Sequence, residues 1–405
     1  MIFNLNTIII YFQKKSCIKP IMNEKMKILF VSADFPPMDG GIAIFDYHIC
    51  KELVARGHKL IVIAKWFQGC KDFDNKQDFV IFRLKGKIRP TSLESIYKIL
   101  ITILKKKIEL IFFGHFGSTH WLGGVLAKKI FKVPYIIFVH GNEFNAYLHK
   151  LTKADRWASK IVLKNTTQII TNSRATKKVI ENNGFPSKRI HIVYPGADPE
   201  IFNANNQNIE IMKKYELEGK KVLLSVSRLA WIKNHVNVLN ALPKVIKHFP
   251  NLIYLIVGKG EEEKNIRIVI NELGLQSYVK LIGYIEPPHV GPYYCTCDVF
   301  IMPSKSGNTY YESFGIAYAE ANACGKPVIA GKSGGIEEAV IDGVTGLLVD
   351  PENIEEIAQT IIRLLTDREY ARKLGENGRR RVENELNWKT TGKKIEEVLV
   401  KLLKE

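Results

Sequence analysis

The residues of this sequence with the strongest claim on chemistry are two cations and two carboxylates. Arg228 and Lys233 stand five apart just after the apolar run KVLLSV, and Glu312 and Glu320 stand eight apart around the string SFGIAYA. Arg offers a planar fork and Lys a point charge, and both suit phosphate oxygens. Glu312 precedes a helical pattern that opens at Ser313-Phe314-Gly315 and stops at Gly325-Lys326-Pro327. The start of such a helix presents unpaired backbone N–H groups and the positive end of a dipole, which again suits a phosphate. Each feature has an ordinary reading as well: surface cations, a helix-start acid favoured by the dipole, and a solvated Glu.

The elements that position these residues favour chemistry. The stretch CDVFIMPSKSGNTYYESFGIAYAEANACGKPVIAGKSGG, from Cys297 to Gly335, reads as strand, loop, helix, strand and loop. A strand ending in PS, E-x7-E with FG at the first helical turn, and ACGKPVIA behind closely resemble the signature of the retaining family 4 glycosyltransferases of GT-B fold. The resemblance covers about residues 26 to 400 and is weakest between Gly69 and Lys132. It implies two Rossmann-like, doubly wound parallel-sheet domains facing across a cleft, the first for acceptor and the second for a nucleotide sugar.

From Lys27 the chain alternates strand and helix. KILFVSA, KLIVIAKW, DFVIFRL, ELIFFG and PYIIFVHG are apolar strands separated by helical or basic segments, which predicts a parallel doubly wound sheet. No G-x-G-x-x-G follows the first strand, which argues against dinucleotide binding. Gly40-Gly41 sits where that strand gives way to its helix, either as a plain turn or, by the resemblance, as backbone approaching the donor diphosphate. His140, in HGNE, ends another strand on the same edge, where the resemblance implies a sugar-contacting role over a structural one. In the second half the strand NLIYLIV leads into the turn Gly258-Lys259-Gly260, which matches the family in place.

The domains expected are 26–200 for the acceptor and 201–385 for the nucleotide sugar, with Asp198 to Gly219 as a polar linker. Residues 386–405, which contain WKTTGKKIEEVLVKLLKE, would cross back to the first domain by the resemblance. Residues 1–25 read as a leader or a misassigned start, because MKILFVSADFPP from Met26 opens like an α/β domain. Their apolar run is too short to span a bilayer and lacks the flanks of a signal peptide. Six cysteines without metal-ligand spacing point to reduced thiols and a cytoplasmic location.

The net charge of +18 is lopsided: residues 1–200 carry 32 Lys and Arg against 15 Asp and Glu, whereas residues 201–405 carry 27 against 26. Basic and apolar residues alternate at helical spacing in KILITILKKKIEL, which fits either a core helix with a solvated face or a helix on an anionic membrane surface, the inner face of the cell membrane. Nucleic acid is excluded as partner, since no helix-turn-helix, zinc-finger or RRM-like signature accompanies the charge.

The activity that the resemblance implies is hexose transfer from a nucleotide-diphosphate sugar, GDP-mannose or a UDP-sugar, to a lipid-linked or glycan acceptor in polysaccharide or glycolipid synthesis. By the resemblance, Arg228 and Lys233 stabilise the leaving diphosphate, Glu312 holds donor hexose hydroxyls and Glu320 the ribose. Backbone amides of Phe314, Gly315 and Ile316 would meet the phosphate or sugar. No metal and no separate cofactor is expected. A nucleotide-sugar 2-epimerase on the same fold and a non-catalytic glycan-assembly partner stay open.

Overall fold

A computed structural model of the 405-residue chain describes residues 25–38, 40–85, 93–116, 121–145, 153–203, 209–307 and 310–404. The leader read at residues 1–25 lies, except for Lys25, outside the described residues, as does most of the basic stretch 85–90.

Two parallel sheets organise the chain. The first contains β1 (Lys27–Ser32), β2 (Lys59–Lys65), β3 (Val80–Leu84), β4 (Leu110–Phe113), β5 (Tyr135–Val139), β6 (Gln168–Thr171) and β7 (Ile190–Ile192), in the order β3-β2-β1-β4-β5-β6-β7. The second contains β8 (Lys221–Val226), β9 (Leu252–Val257), β10 (Val279–Gly283), β11 (Val299–Met302), β12 (Val328–Gly331) and β13 (Leu347–Val349), in the order β10-β9-β8-β11-β12-β13. Runs such as LIFF, YIIFV and LIYLIV are buried throughout, as strands covered by helices on both faces must be. Helices pack apolar layers on both faces of each sheet. The strand order reverses between β1 and β4 and between β8 and β11, so the ligand crevices of such sheets fall at the carboxyl ends of those strands. This is the GT-B architecture.

The last helix (Trp388–Lys404) packs on the first (Gly41–Ala55). Trp388 stacks on His48 at 4.4 Å between ring centres, and Ile395, Val398, Leu399 and Leu402 join the core of the first sheet. Arg56 and His58 meet Glu396 at 3.3 and 3.1 Å. The chain thus passes between the sheets twice, and the passages touch where Ala197 N donates to Leu386 O at 2.8 Å.

The stretch expected as a linker is partly core. Ile209–Lys214 is helical, and Ile211 and Leu217 bury against Tyr293 and its neighbours under the second sheet. Sparse apolar residues in a polar stretch concealed this, because among its described residues only these two and Phe202 are buried, with Tyr215 partly buried beside them. The helix after Glu312 begins at Ile316, a residue later than Gly315, whose left-handed φ of +83° keeps it outside the helix.

Candidate active site

Arg228 and Lys233 follow β8 of the second sheet, and Glu312 and Glu320 follow β11 beside it. After β8 the chain makes a short turn, Trp231–Lys233, then Asn234 in a left-handed conformation (φ 61°), and only then the helix His235–His248. Asn234 fixes that turn by donating to Pro303 O at 3.1 Å and Pro351 O at 2.6 Å. Lys305, from the loop after β11, lies 4.3 Å from the centre of the Trp231 ring and bonds Ile232 O through its backbone N–H at 2.8 Å. The loops after β8 and β11 are therefore pinned together, and the pinning brings Lys233 Nζ onto the Glu312 carboxylate in a direct ion pair. Both side chains are largely shielded from solvent, which strengthens such a pair relative to an exposed one.

Arg228 stands on the same loop but is exposed, with no ion pair among the described residues. It is a cation free to meet an anion from solvent. The turn at Gly258 packs beneath it. With φ at +142°, Gly258 lies so close to Ser227 that a Cβ there would sit 1.8 Å from Ser227 O, so close backbone packing alone requires glycine at this position.

Glu320 lies one helix further in, on Ile316–Ala323. Tyr294 Oη donates to its Oε2 at 2.6 Å. Burial pushes its carboxyl up to about 7, against the opposing pull of the Tyr294 hydroxyl. No side chain caps the helix start, and Ile316 packs against the core of the first domain. Phe314 is buried and its ring stacks on that of Tyr194 at 5.6 Å, so the ring is taken up by packing.

The first domain meets the Glu312 loop through the turn after β5, where Asn142 Oδ1 accepts from Tyr311 N at 2.9 Å. Gly40 and Gly41 are exposed at the start of the first helix, with open space where a side chain would be. His140 ends β5, packed against Phe45 and Phe138, with Nε2 3.1 Å from Gly114 O. A carbonyl accepts only, so Nε2 carries the proton. Burial, then the neighbouring His115, pushes its pKa down to about 3. The ring is a neutral hydrogen-bonding group.

Several residues here escaped the sequence reading. Glu143 accepts from His140 N, and burial pushes its carboxyl up to about 7. Asp46, on the first helix, is fully buried against Gly114, and neither carboxylate oxygen has a hydrogen-bond partner. Burial holds that carboxyl well above its usual range; the Ser32 hydroxyl offsets this only in part, being engaged with Asp34 O at 3.1 Å. The available signal was a polar residue in register with buried Ala43, Cys50 and Leu53. Among the described residues, no group of three or more His, Cys, Asp or Glu is arranged to hold a metal ion.

The comparisons with known proteins agree with this fold. A mannosyltransferase of Mycolicibacterium smegmatis, a GDP-mannose-dependent alpha-(1-6)-phosphatidylinositol monomannoside mannosyltransferase, is 28% identical over 380 residues, covering 92% of this chain and 98% of its own. A GDP-mannose-dependent monoacylated alpha-(1-6)-phosphatidylinositol monomannoside mannosyltransferase of Corynebacterium glutamicum is 26% identical over 93% of this chain and 99% of its own. Among solved structures, Anabaena HepE with UDP and glucose superposes with a TM-score of 0.76 at 22% identity, covering 92% of this chain and 99% of its own. Sucrose-phosphate synthase of Thermosynechococcus elongatus gives 0.75 at 22% identity, covering 94% and 99%. Residues 39–201 match the profile of Glycosyltransferase Family 4 and residues 207–381 that of Glycosyl transferases group 1. With both halves matched, this chain belongs to the family 4, group 1 glycosyltransferases.

Proposed function

We propose that the protein is a retaining, metal-independent hexosyltransferase that uses a nucleotide-diphosphate sugar, GDP-mannose in the first instance, and delivers the hexose to a lipid-linked or glycan acceptor. The observation that carries this reading is the shielded Lys233–Glu312 pair beside exposed Arg228. The two cations are fixed charge where the leaving diphosphate gains negative charge, which is where electrostatic preorganisation lowers a barrier most. Glu312 holds hydroxyls of the donor hexose, Glu320 holds those of the ribose, and the uncapped helix start at Ile316 meets the phosphate or sugar. Neutral His140 and the exposed backbone at Gly40-Gly41 line the opposite wall. With this charge set, the departing phosphate accepts the acceptor's proton and attack comes from the same face. GDP-mannose is favoured over UDP-sugars because relatives matching nearly the full chain are named for it.

In this reading the acceptor lies at a membrane surface. The helix Leu93–Lys106 exposes Leu93 and Tyr97 in its first turns and Lys105 and Lys106 in its last, its neighbour Trp121–Phe131 exposes Leu126, Lys129 and Ile130, and Lys107 and Lys132 are exposed just beyond the two helices. Exposed apolar residues and lysines on two neighbouring helices fit peripheral binding to an anionic leaflet, the inner face of the cell membrane. No helix among the described residues is long and apolar enough to cross one.

A screen of GDP- and UDP-sugars for nucleotide release, with purified protein and a membrane extract, tests the reading. Release from GDP-mannose that depends on the extract is expected. Conversion of the donor to an epimer without extract would replace it with the epimerase, and donor binding without turnover would replace it with a non-catalytic partner.

A further inference from the structure

The loop that carries Glu312 is held by the other domain as well as by its own. Tyr311 N donates to Asn142 Oδ1 at 2.9 Å. The Tyr311 hydroxyl lies 3.1 Å from Thr176 Oγ1, and Asn172 Nδ2 donates to Ser313 Oγ at 3.0 Å. Asn142, Asn172 and Thr176 all belong to the first domain, so Glu312 has a neighbour on each side tied across the cleft. Thr176 is fully buried and anchored in turn by Ser173 Oγ at 3.0 Å.

The approach is too close for chance contact of two surfaces. A Cβ on Gly141 would lie 2.8 Å from Tyr311 Oη, 2.9 Å from Thr176 Oγ1 and 3.1 Å from Ser313 Cβ. One on Gly335 would lie 2.0 Å from Ser313 O and 2.7 Å from Ser173 Cβ. Beside this seam, Arg174 N donates to Glu338 Oε1 at 2.5 Å, and the Tyr194 hydroxyl donates to Glu338 Oε2 at 2.7 Å. Glycine on each side thus lets backbone meet polar side chain directly, and the hydrogen bonds lie along that line.

We propose that Asn142, Asn172 and Thr176 are positioning residues for Glu312: they fix Tyr311 and Ser313 from the opposite domain, so the carboxylate paired with Lys233 is set for the donor sugar only when the domains meet. The proposal rests on the reading of Glu312 as the hexose-binding group. None of the three touches the reacting atoms in this reading; they act through the loop.

Calorimetry with GDP and GDP-mannose, and with UDP and UDP-glucose in parallel, tests it on Asn142→Ala, Thr176→Val and Thr176→Ser. The affinity for the free diphosphate should stay within about twofold. The extra affinity supplied by the sugar should fall roughly three- to tenfold in Asn142→Ala and Thr176→Val, the scale of one net hydrogen bond. Thr176→Ser keeps the hydroxyl and should restore it. Hydrogen exchange over residues 310–320 needs no ligand, and should be faster in the two damaging variants and parent-like in Thr176→Ser. Equal loss of diphosphate and sugar-nucleotide affinity together with a lowered Tm would mark a purely structural role and overturn the proposal, as would parent-like affinities and exchange throughout. If the parent protein binds none of the four nucleotides, the donor reading fails, and the exchange measurement alone then decides whether the first domain positions the loop.

Discussion

The hydroxyl of Tyr294 donates to Oε2 of Glu320 across 2.6 Å, in a site buried enough to push that carboxyl up to about 7. The ionised form is the better acceptor for hydroxyl donors. A Glu320 that holds the ribose should therefore bind nucleotide more tightly as pH rises from 6 to 8. Free GDP titrates in the same range through its own phosphate, so the comparison with Glu320→Gln isolates the protein's share: the variant should show a shallower rise. Parallel pH profiles for parent and variant would remove Glu320 from the ribose.

Glu312 and Glu320 separate in a second measurement. Glu320→Ala should weaken binding of the nucleoside diphosphate alone. Glu312→Ala should leave that binding mostly intact and damage transfer, because its partners belong to the sugar. Calorimetry with free GDP and turnover with GDP-mannose would expose the reverse order.

The two cations differ in surroundings and should differ in effect. Removing one electrostatic donor from a site of this kind costs about 2.7–4 kcal/mol in the transition state, a hundredfold or more in turnover. Arg228→Ala removes an exposed charge and should do that while leaving Tm near the parent value. Lys233→Ala also leaves the shielded Glu312 carboxylate without its partner, which adds a penalty. Lys233→Ala should thus be at least as damaging and the less stable of the two. Near-parent turnover in both would remove the diphosphate clamp.

Much of this was legible before any coordinates, for a physical reason. Each strand is a local apolar run, so the strand ends that precede Arg228, Lys233, Glu312 and His140 could be located from nearby residues alone, whereas the roles given to these residues came from the family resemblance. What could not be read are pairings made across the chain. Lys233 and Glu312 are 79 positions apart, and Tyr311 and Asn142 are 169 apart. Nothing in HGNE announces that its Asn will accept from a backbone N–H of the other domain. Asp46 went unnoticed for another reason: the helix register placed it on the buried face, and a single carboxylate there does not disturb an otherwise apolar pattern. The polar stretch 198–219 hid core residues because a few inward-facing side chains suffice when the neighbouring sheet supplies the rest.

Asp46 has a measurable signature. Its carboxyl is held well above the usual range by burial, so from about pH 4 upward the folded state retains a proton that the unfolded chain releases. Stability attributable to this group is then fully present at low pH and lost as pH rises towards the folded value. Asp46→Asn cannot ionise and escapes that loss. The Tm of the variant relative to the parent should accordingly be higher at pH 8 than at pH 4.5. A difference that is the same at both pH values would show Asp46 to be ionised in the fold.

The basic face of the first domain gives the last expectation. Lys105, Lys106 and Lys107 are exposed at the end of a helix that also exposes Leu93 and Tyr97. Each lysine near an anionic surface contributes about 1 kcal/mol. The attraction is screened as the Debye length falls from about 10 Å at 0.1 M salt to about 3 Å at 1 M. Cosedimentation with anionic vesicles should therefore drop steeply with salt, and neutral vesicles should bind weakly through the apolar residues alone. Replacing all three lysines with Glu should reduce vesicle binding while leaving nucleotide affinity unchanged, since the cations assigned to the diphosphate lie in the second domain. Equal binding to neutral and anionic vesicles, insensitive to salt, would make this face ordinary solvated surface and leave the acceptor to be sought in solution.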